Sequence, residues 1–203
     1  MKLYLKGNYE ASIYQASMEY PWKMWFKERK GVKVGFSYAR DDDFYFSVSL
    51  DKFSSNDERW GGTDFKIGDN PWNSFKYEYI ILDFEDSYES DGREKGDYLR
   101  IITTHKDILT VDKRALYILA LEVASAIDGH ISEDDKETWL SIEEFKTKHA
   151  DLLHFTYDEA ADISLEEIKV MKAVDEPLWE ELDRKREEYI RIHGEVELDD
   201  EEE

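Results

Sequence analysis

The hydrophobic period of this chain changes once, near residue 105, and that change constrains the fold more than any motif does. Upstream, Val32, Val34, Phe36 and Tyr38 alternate with Lys33, Gly35 and Ser37, the period of two that a half-buried strand requires. After the polar turn Arg40-Asp41-Asp42-Asp43, Phe44, Phe46, Val48 and Leu50 alternate with Tyr45, Ser47 and Ser49, so the two runs predict an antiparallel hairpin. Lys76 to Phe84 is apolar on both faces, which predicts a central strand. Asp97–Thr104 follows the polar loop Glu85–Gly96 as another strand, and Leu3-Tyr4-Leu5 can add one more. Tyr20 to Phe26, crowded with aromatics, reads equally as strand or short helix.

Downstream the spacing becomes three and four. Leu116, Leu119, Ala120, Val123, Ala124 and Ile127 form the stripe of one helix, capped by Thr110 or Asp112, running to about Asp128 and stopped by Gly129. Ser141 with Glu144 and Ser164 with Glu167 fit the capping-box pattern, each opening an apolar-periodic run. Pro177 separates the latter run from a last helix near Leu178–His193, where Glu180–Arg184, Glu181–Lys185 and Glu187–Arg191 stand four apart in the favourable order. Strands first and helices after predict an α+β fold, an antiparallel sheet from the N-terminal half packed against C-terminal helices. The expected organisation is one globular domain over residues 1–193 and a disordered acidic tail over 194–203, which has almost nothing to bury.

Charge then limits the partners. The chain carries 49 acidic and 27 basic residues, a formal net of −22. Residues 1–40 hold eight Lys/Arg against three Glu, a net of +5, so the remainder carries −27. Such a field repels nucleic acid and anionic membrane and attracts basic proteins. The basic start (Lys2, Lys6, Lys23, Lys27, Arg29, Lys30 and Lys33) interleaves with aromatics, but pairing with the acidic remainder accounts for it better than single-stranded nucleic acid. With no cysteine, disulfides and thiolate metal sites are excluded. The first residues lack a signal-like apolar run, and nowhere do roughly 18 apolar residues run together. The expectation is a soluble, cytoplasmic protein.

No motif names a reaction. His105, His130, His149, His154 and His193 show no H-E-x-x-H or H-x-H spacing. The loop Asp86–Gly92 resembles an EF-hand only superficially: with Gly92 at position six, Ser87 and Tyr98 fall at positions one and twelve. No serine sits in a glycine-framed elbow, and Gly61-Gly62-Thr63 lacks a phosphate-loop frame. No catalytic residue, cofactor or metal is therefore expected. The six tryptophans read first as core, and second as contact anchors, with Trp60 and Trp72 in a Gly/Asn/Pro-containing stretch.

Within Ala115–Phe145, an apolar helix ends Ala126-Ile127-Asp128-Gly129, followed by Ile131-Ser132-Glu133-Asp134, Thr138-Trp139 and Glu143-Glu144-Phe145. This segment, about a sixth of the chain, resembles the helix–acidic-loop–Trp–E-E-F ending of small acidic bacterial proteins of the toxin-immunity type. The resemblance carries no catalytic residue and implies a protein-binding role.

Together these readings predict a non-catalytic acidic protein that engages a basic protein partner, as an immunity protein or an inhibitor, for instance of a nuclease. The expected contact residues are Glu133, Asp134, Asp135 and Glu137 with Trp139 as anchor, and Asp41, Asp42 and Asp43 as a second patch. Two alternatives stand beside it: a carboxylate- and divalent-metal-dependent hydrolase, and a DNA-mimic inhibitor with carboxylates spaced like phosphates.

Overall fold

The computed structural model describes residues 1–9, 20–25, 34–40, 45–50, 75, 78–87 and 94–194. Its elements, in chain order, are β1 (Lys2–Lys6), α1 (Tyr20–Trp25), β2 (Val34–Arg40), β3 (Tyr45–Leu50), β4 (Tyr79–Ser87), β5 (Glu94–Thr103), α2 (Thr110–Ala126), β6 (His130–Ser132), α3 (Ile142–Lys148), α4 (Ala150–Leu153), α5 (Tyr157–Glu167) and α6 (Pro177–His193). The strands form one sheet in the order β2-β3-β4-β5-β1-β6, and every neighbouring pair is antiparallel. This is the α+β architecture that the change of period predicts. The expected hairpin is β2–β3, and the strand apolar on both faces is β4, inside the sheet. The turn at Asp41–Asp43 and the tryptophans Trp60 and Trp72 lie outside the described residues, as does the chain beyond Gly194.

One face of the sheet carries Leu3, Leu5, Val48, Ile80, Leu82, Leu99, Ile101 and Ile131, all buried. They pack with Ala115, Leu116, Leu119, Ala120 and Val123 of α2 in a single core cluster. Helix α2 also touches α1, α3, α4 and α5, so it is buried on nearly every side. That explains a stripe wider than an ordinary amphipathic helix needs. Arg114, within this layer, donates from Nε to the Phe155 carbonyl at 2.6 Å and from a terminal nitrogen to the Met24 carbonyl at 3.2 Å.

Four local expectations need correction. Neither Thr110 nor Asp112 caps α2 with its own side chain; Leu109 stands at the N-cap. The first donors of α2 are satisfied from α5 instead: Thr110 N–H and Oγ1 donate to the Glu167 carboxylate at 2.7 and 2.5 Å, and Val111 N–H to Ser164 Oγ at 2.9 Å. Ser164 and Glu167 therefore lie in the last turn of α5 and open no helix; the capping box of α5 is Thr156 with Glu159, while Ser141–Glu144 caps α3 as expected. At the end of α2, Asp128 takes the left-handed conformation (φ 50°). Gly129 serves the crossing with β1, where a Cβ would lie 2.5 Å from the Lys6 carbonyl oxygen. Finally, the polar stretch Glu85–Gly96 is strand at both of its ends, since β4 runs to Ser87 and β5 begins at Glu94; two facing edges of polar residues hide a ladder that hydrophobic alternation cannot reveal.

Candidate functional site

The connection from β6 to α3 folds back over the second face of the sheet. Ile131 and Leu140 exchange backbone hydrogen bonds of 2.9 and 2.8 Å, which closes the intervening residues into a hairpin-like loop. At its tip, Glu137 N–H donates to the Asp134 carbonyl at 3.2 Å, with φ of 59° at Asp135 and 73° at Lys136. Two consecutive positive φ values are the signature of a type I′ turn, a place where Asn-Gly is preferred because other residues are strained there. The Asp134 carboxylate holds the turn from within: Ser132 Oγ and Thr138 N–H each donate at 2.8 Å, and Thr138 Oγ1 donates as well. These bonds, led by that of the Thr138 hydroxyl, hold the carboxyl down at about 2.

From this strained turn the Lys136 side chain reaches the sheet. Its ammonium lies 2.6 Å from Glu85 Oε1, 4.5 Å from the Tyr4 ring centre and 5.6 Å from that of Tyr98. The register of β4 with β5 breaks here, pairing Phe84 with Leu99 but Asp86 with Lys95. β5 thus uses Gly96, Asp97 and Tyr98 against the single residue Glu85, and such an irregularity re-aims side chains. Burial alone would lower the Lys136 pKa, but the Glu85 carboxylate overrides it and the ammonium is held above its ordinary value. Burial, helped by Glu85 and Asp135, pushes the Tyr4 hydroxyl up to about 12. Lys2 completes the edge of the cluster, 3.1 Å from Asp135 and 5.6 Å from the Tyr4 ring.

A second group pins the base of the loop. Glu133 accepts from Tyr117 Oη at 3.0 Å, from Lys148 at 2.6 Å and from His149 Nε2 at 2.9 Å. Burial raises its carboxyl pKa, yet these three donors outweigh it and the net shift is downward. Further along, Trp139 stacks on Tyr98 with centroids 5.4 Å apart and planes at 28°, and Lys6 Nζ lies 4.4 Å from its ring centre.

Of the residues expected to meet a partner, the loop members are therefore gathered on one side, but unequally available. Glu133, half-buried, and Asp134, exposed, both engage their carboxylates in hydrogen bonds within the chain. Asp135 pairs with Lys2 yet keeps 63 % of its side chain exposed, Glu137 is exposed, and Trp139 is half-buried against Tyr98. Asp41, Asp42 and Asp43 lie outside the described residues. Sequence reasoning missed Lys136, Tyr4, Glu85 and Tyr98 as a unit. No spacing could have found them, because they come from four separate segments and meet only through the strand ladder.

Elsewhere, the end of β5 holds a buried pair: His105 Nδ1 lies 2.5 Å from Glu78 Oε2, and His105 N–H donates to Glu78 Oε1 at 3.1 Å. Thr103 and the Met1 ammonium, which also meets Glu176, extend this network. Among the described residues no group of three or more His, Asp or Glu is placed to hold a metal ion, and no helix is long and apolar enough to cross a membrane. The chemistry the loop offers is recognition, by carboxylates and aromatic faces, of cations and N–H donors. Compared with known proteins, the chain matches no family model, no curated protein and no solved structure.

Proposed function

We propose that this chain is a non-catalytic binding protein whose acidic surface engages a basic protein, in the manner of an immunity protein or an inhibitor. The observation that carries the reading is the helical layer. Residues 142–167 hold eight Asp/Glu against two lysines, and α5 alone has five carboxylates and no Lys or Arg. Glu159, Asp162 and Glu166 stand exposed on it. A surface of one sign speeds the encounter with an oppositely charged partner and selects against wrong ones. The β6–α3 loop adds Asp135 and Glu137 from a preformed turn.

The test is capture from a source-cell lysate at low and near-physiological salt, with wild type beside Asp162→Lys/Glu166→Lys and Asp135→Asn/Glu137→Gln. One basic protein held stoichiometrically at both salts, and released by at least one of the double variants, is the expected outcome. A scatter of basic proteins that disappears with added salt, indifferent to the variants, would reduce the charge to a solubilising field and sink the proposal.

A further inference from the structure

We propose that Tyr4, Tyr98 and Glu85 form a receptor for a primary ammonium, filled in this chain by its own Lys136, and that the external group it takes is a lysine side chain of the basic partner. The identity of that occupant rests on the binding function proposed above; the receptor itself stands on geometry alone. An ammonium near two phenol rings and in contact with a carboxylate is held by cation–π attraction and a charge-assisted hydrogen bond together. Lys136 shows that the fit is real, at 4.5 and 5.6 Å from the two ring centres and 2.6 Å from Glu85 Oε1. Tyr4 is buried, and the Glu85 and Lys136 side chains keep only 27 % and 30 % of their exposure. The site is sheltered enough to strengthen these interactions yet open enough to be reached.

The internal occupant is also poorly suited to hold its place. Lys136 and Asp135 both adopt left-handed backbone, a conformation that favours glycine, that aspartate tolerates and that strains the lysine. That strain weakens the internal ammonium relative to one arriving without it. The neighbouring charges bear on the exchange in both directions: Asp135 adds a second carboxylate at the mouth, and Lys2, 5.6 Å from the Tyr4 ring, competes for it. A partner lysine that enters displaces Lys136, frees the turn, and leaves Asp135 and Glu137 to pair with further cations.

The experiment empties the site and refills it with a probe. Lys136→Gly suits the positive φ, so this variant keeps the turn. n-Butylammonium chloride, which restores the missing four-carbon ammonium, is then titrated against sodium chloride at equal ionic strength. The expected result is a rise in the thermal midpoint of Lys136→Gly beyond that seen with sodium chloride, with shifts in the Tyr4 and Tyr98 ring resonances. Neither effect should occur in Lys136→Gly/Glu85→Gln, nor in Lys136→Met, whose stem still fills the space. An equal response in Lys136→Met, or none in Lys136→Gly, overturns the receptor. Against a captured basic partner, emptying the site should tighten binding about tenfold, the scale of one desolvated cation–π contact; unchanged or weaker binding overturns the lysine as occupant. If the ammonium response holds while no basic protein is captured, the receptor stands and it is the binding function that fails.

Discussion

At the scale of single residues, the loop tip carries its own tests. Three donors fix the Asp134 carboxylate, and the Thr138 hydroxyl contributes most to holding its pKa near 2. Because the folded value lies below the unfolded one, near 3.9, this group stabilises the fold above pH about 4, and the contribution is lost as pH falls from there through about 2. Thr138→Val removes the hydroxyl donor. We expect the Asp134 titration, followed by carbon-detected NMR, to move up toward the usual carboxylate range in that variant; a midpoint that stays near 2 would show that the backbone donor alone suffices. Asp135 makes the opposite case. Its side chain is 63 % exposed in the ion pair with Lys2 and pairs open to solvent contribute little, whereas its left-handed φ still favours glycine over aspartate. Asp135→Gly should therefore be neutral or stabilising by up to about 1 kcal/mol in urea unfolding. A clear loss of stability would mean that the carboxylate matters more than the backbone.

Between elements, side chains of α5 join it to α2 by satisfying the first donors of that helix. Glu167 and Ser164 do for α2 what an N-cap residue does locally, so Glu167→Ala should cost about 1–2 kcal/mol. Arg114→Met should cost about 1–3 kcal/mol, because it strips a buried carbonyl, that of Met24, and a part-buried one, that of Phe155, of their donor. Urea denaturation with an unchanged m-value checks both, and a loss below about 0.5 kcal/mol in either would mean that water replaces the missing partner. This joint also marks where local reading stops. Hydrophobic period marked β2, β3 and α2 by their own repeats, and β4 by an apolar run on both faces. It misread Ser164–Glu167, since a side chain that caps another helix leaves the same four-residue pattern as one that caps its own. Thr156–Glu159, the real capping box of α5, follows His154-Phe155 and precedes only a thin apolar stripe, so its signal is weak. The β6–α3 loop is legible as an acidic turn, but its partners on the sheet are not: Tyr4, Glu85 and Tyr98 lie on three different strands, and a register irregularity brings two of them into line.

The whole molecule must fold against its own charge. Its −22 formal charge opposes compaction through self-repulsion, which salt screens as the Debye length falls from about 30 Å at 0.01 M to about 10 Å at 0.1 M. Salt also weakens the ion pairs, but most of those on the helices are exposed, as with Lys146–Glu143, Lys169–Glu166 and Lys185–Glu181, where each contributes roughly 0–1 kcal/mol. The buried pair Arg100–Asp83, at 2.6 Å, is screened far less. Repulsion summed over the surface should therefore outweigh the pairs that salt loosens, and the thermal midpoint should rise by several degrees between about 0.01 and 0.3 M sodium chloride. Calcium or magnesium chloride at matched ionic strength separates generic screening from a specific cation site. An equal rise in all three salts means screening alone; an excess that saturates with the divalent ion means that carboxylates converge on it. A midpoint that falls with sodium chloride would show that the acidic surface is neutralised internally, by pairs the fold depends on, and would leave the chain far less charge to offer a partner.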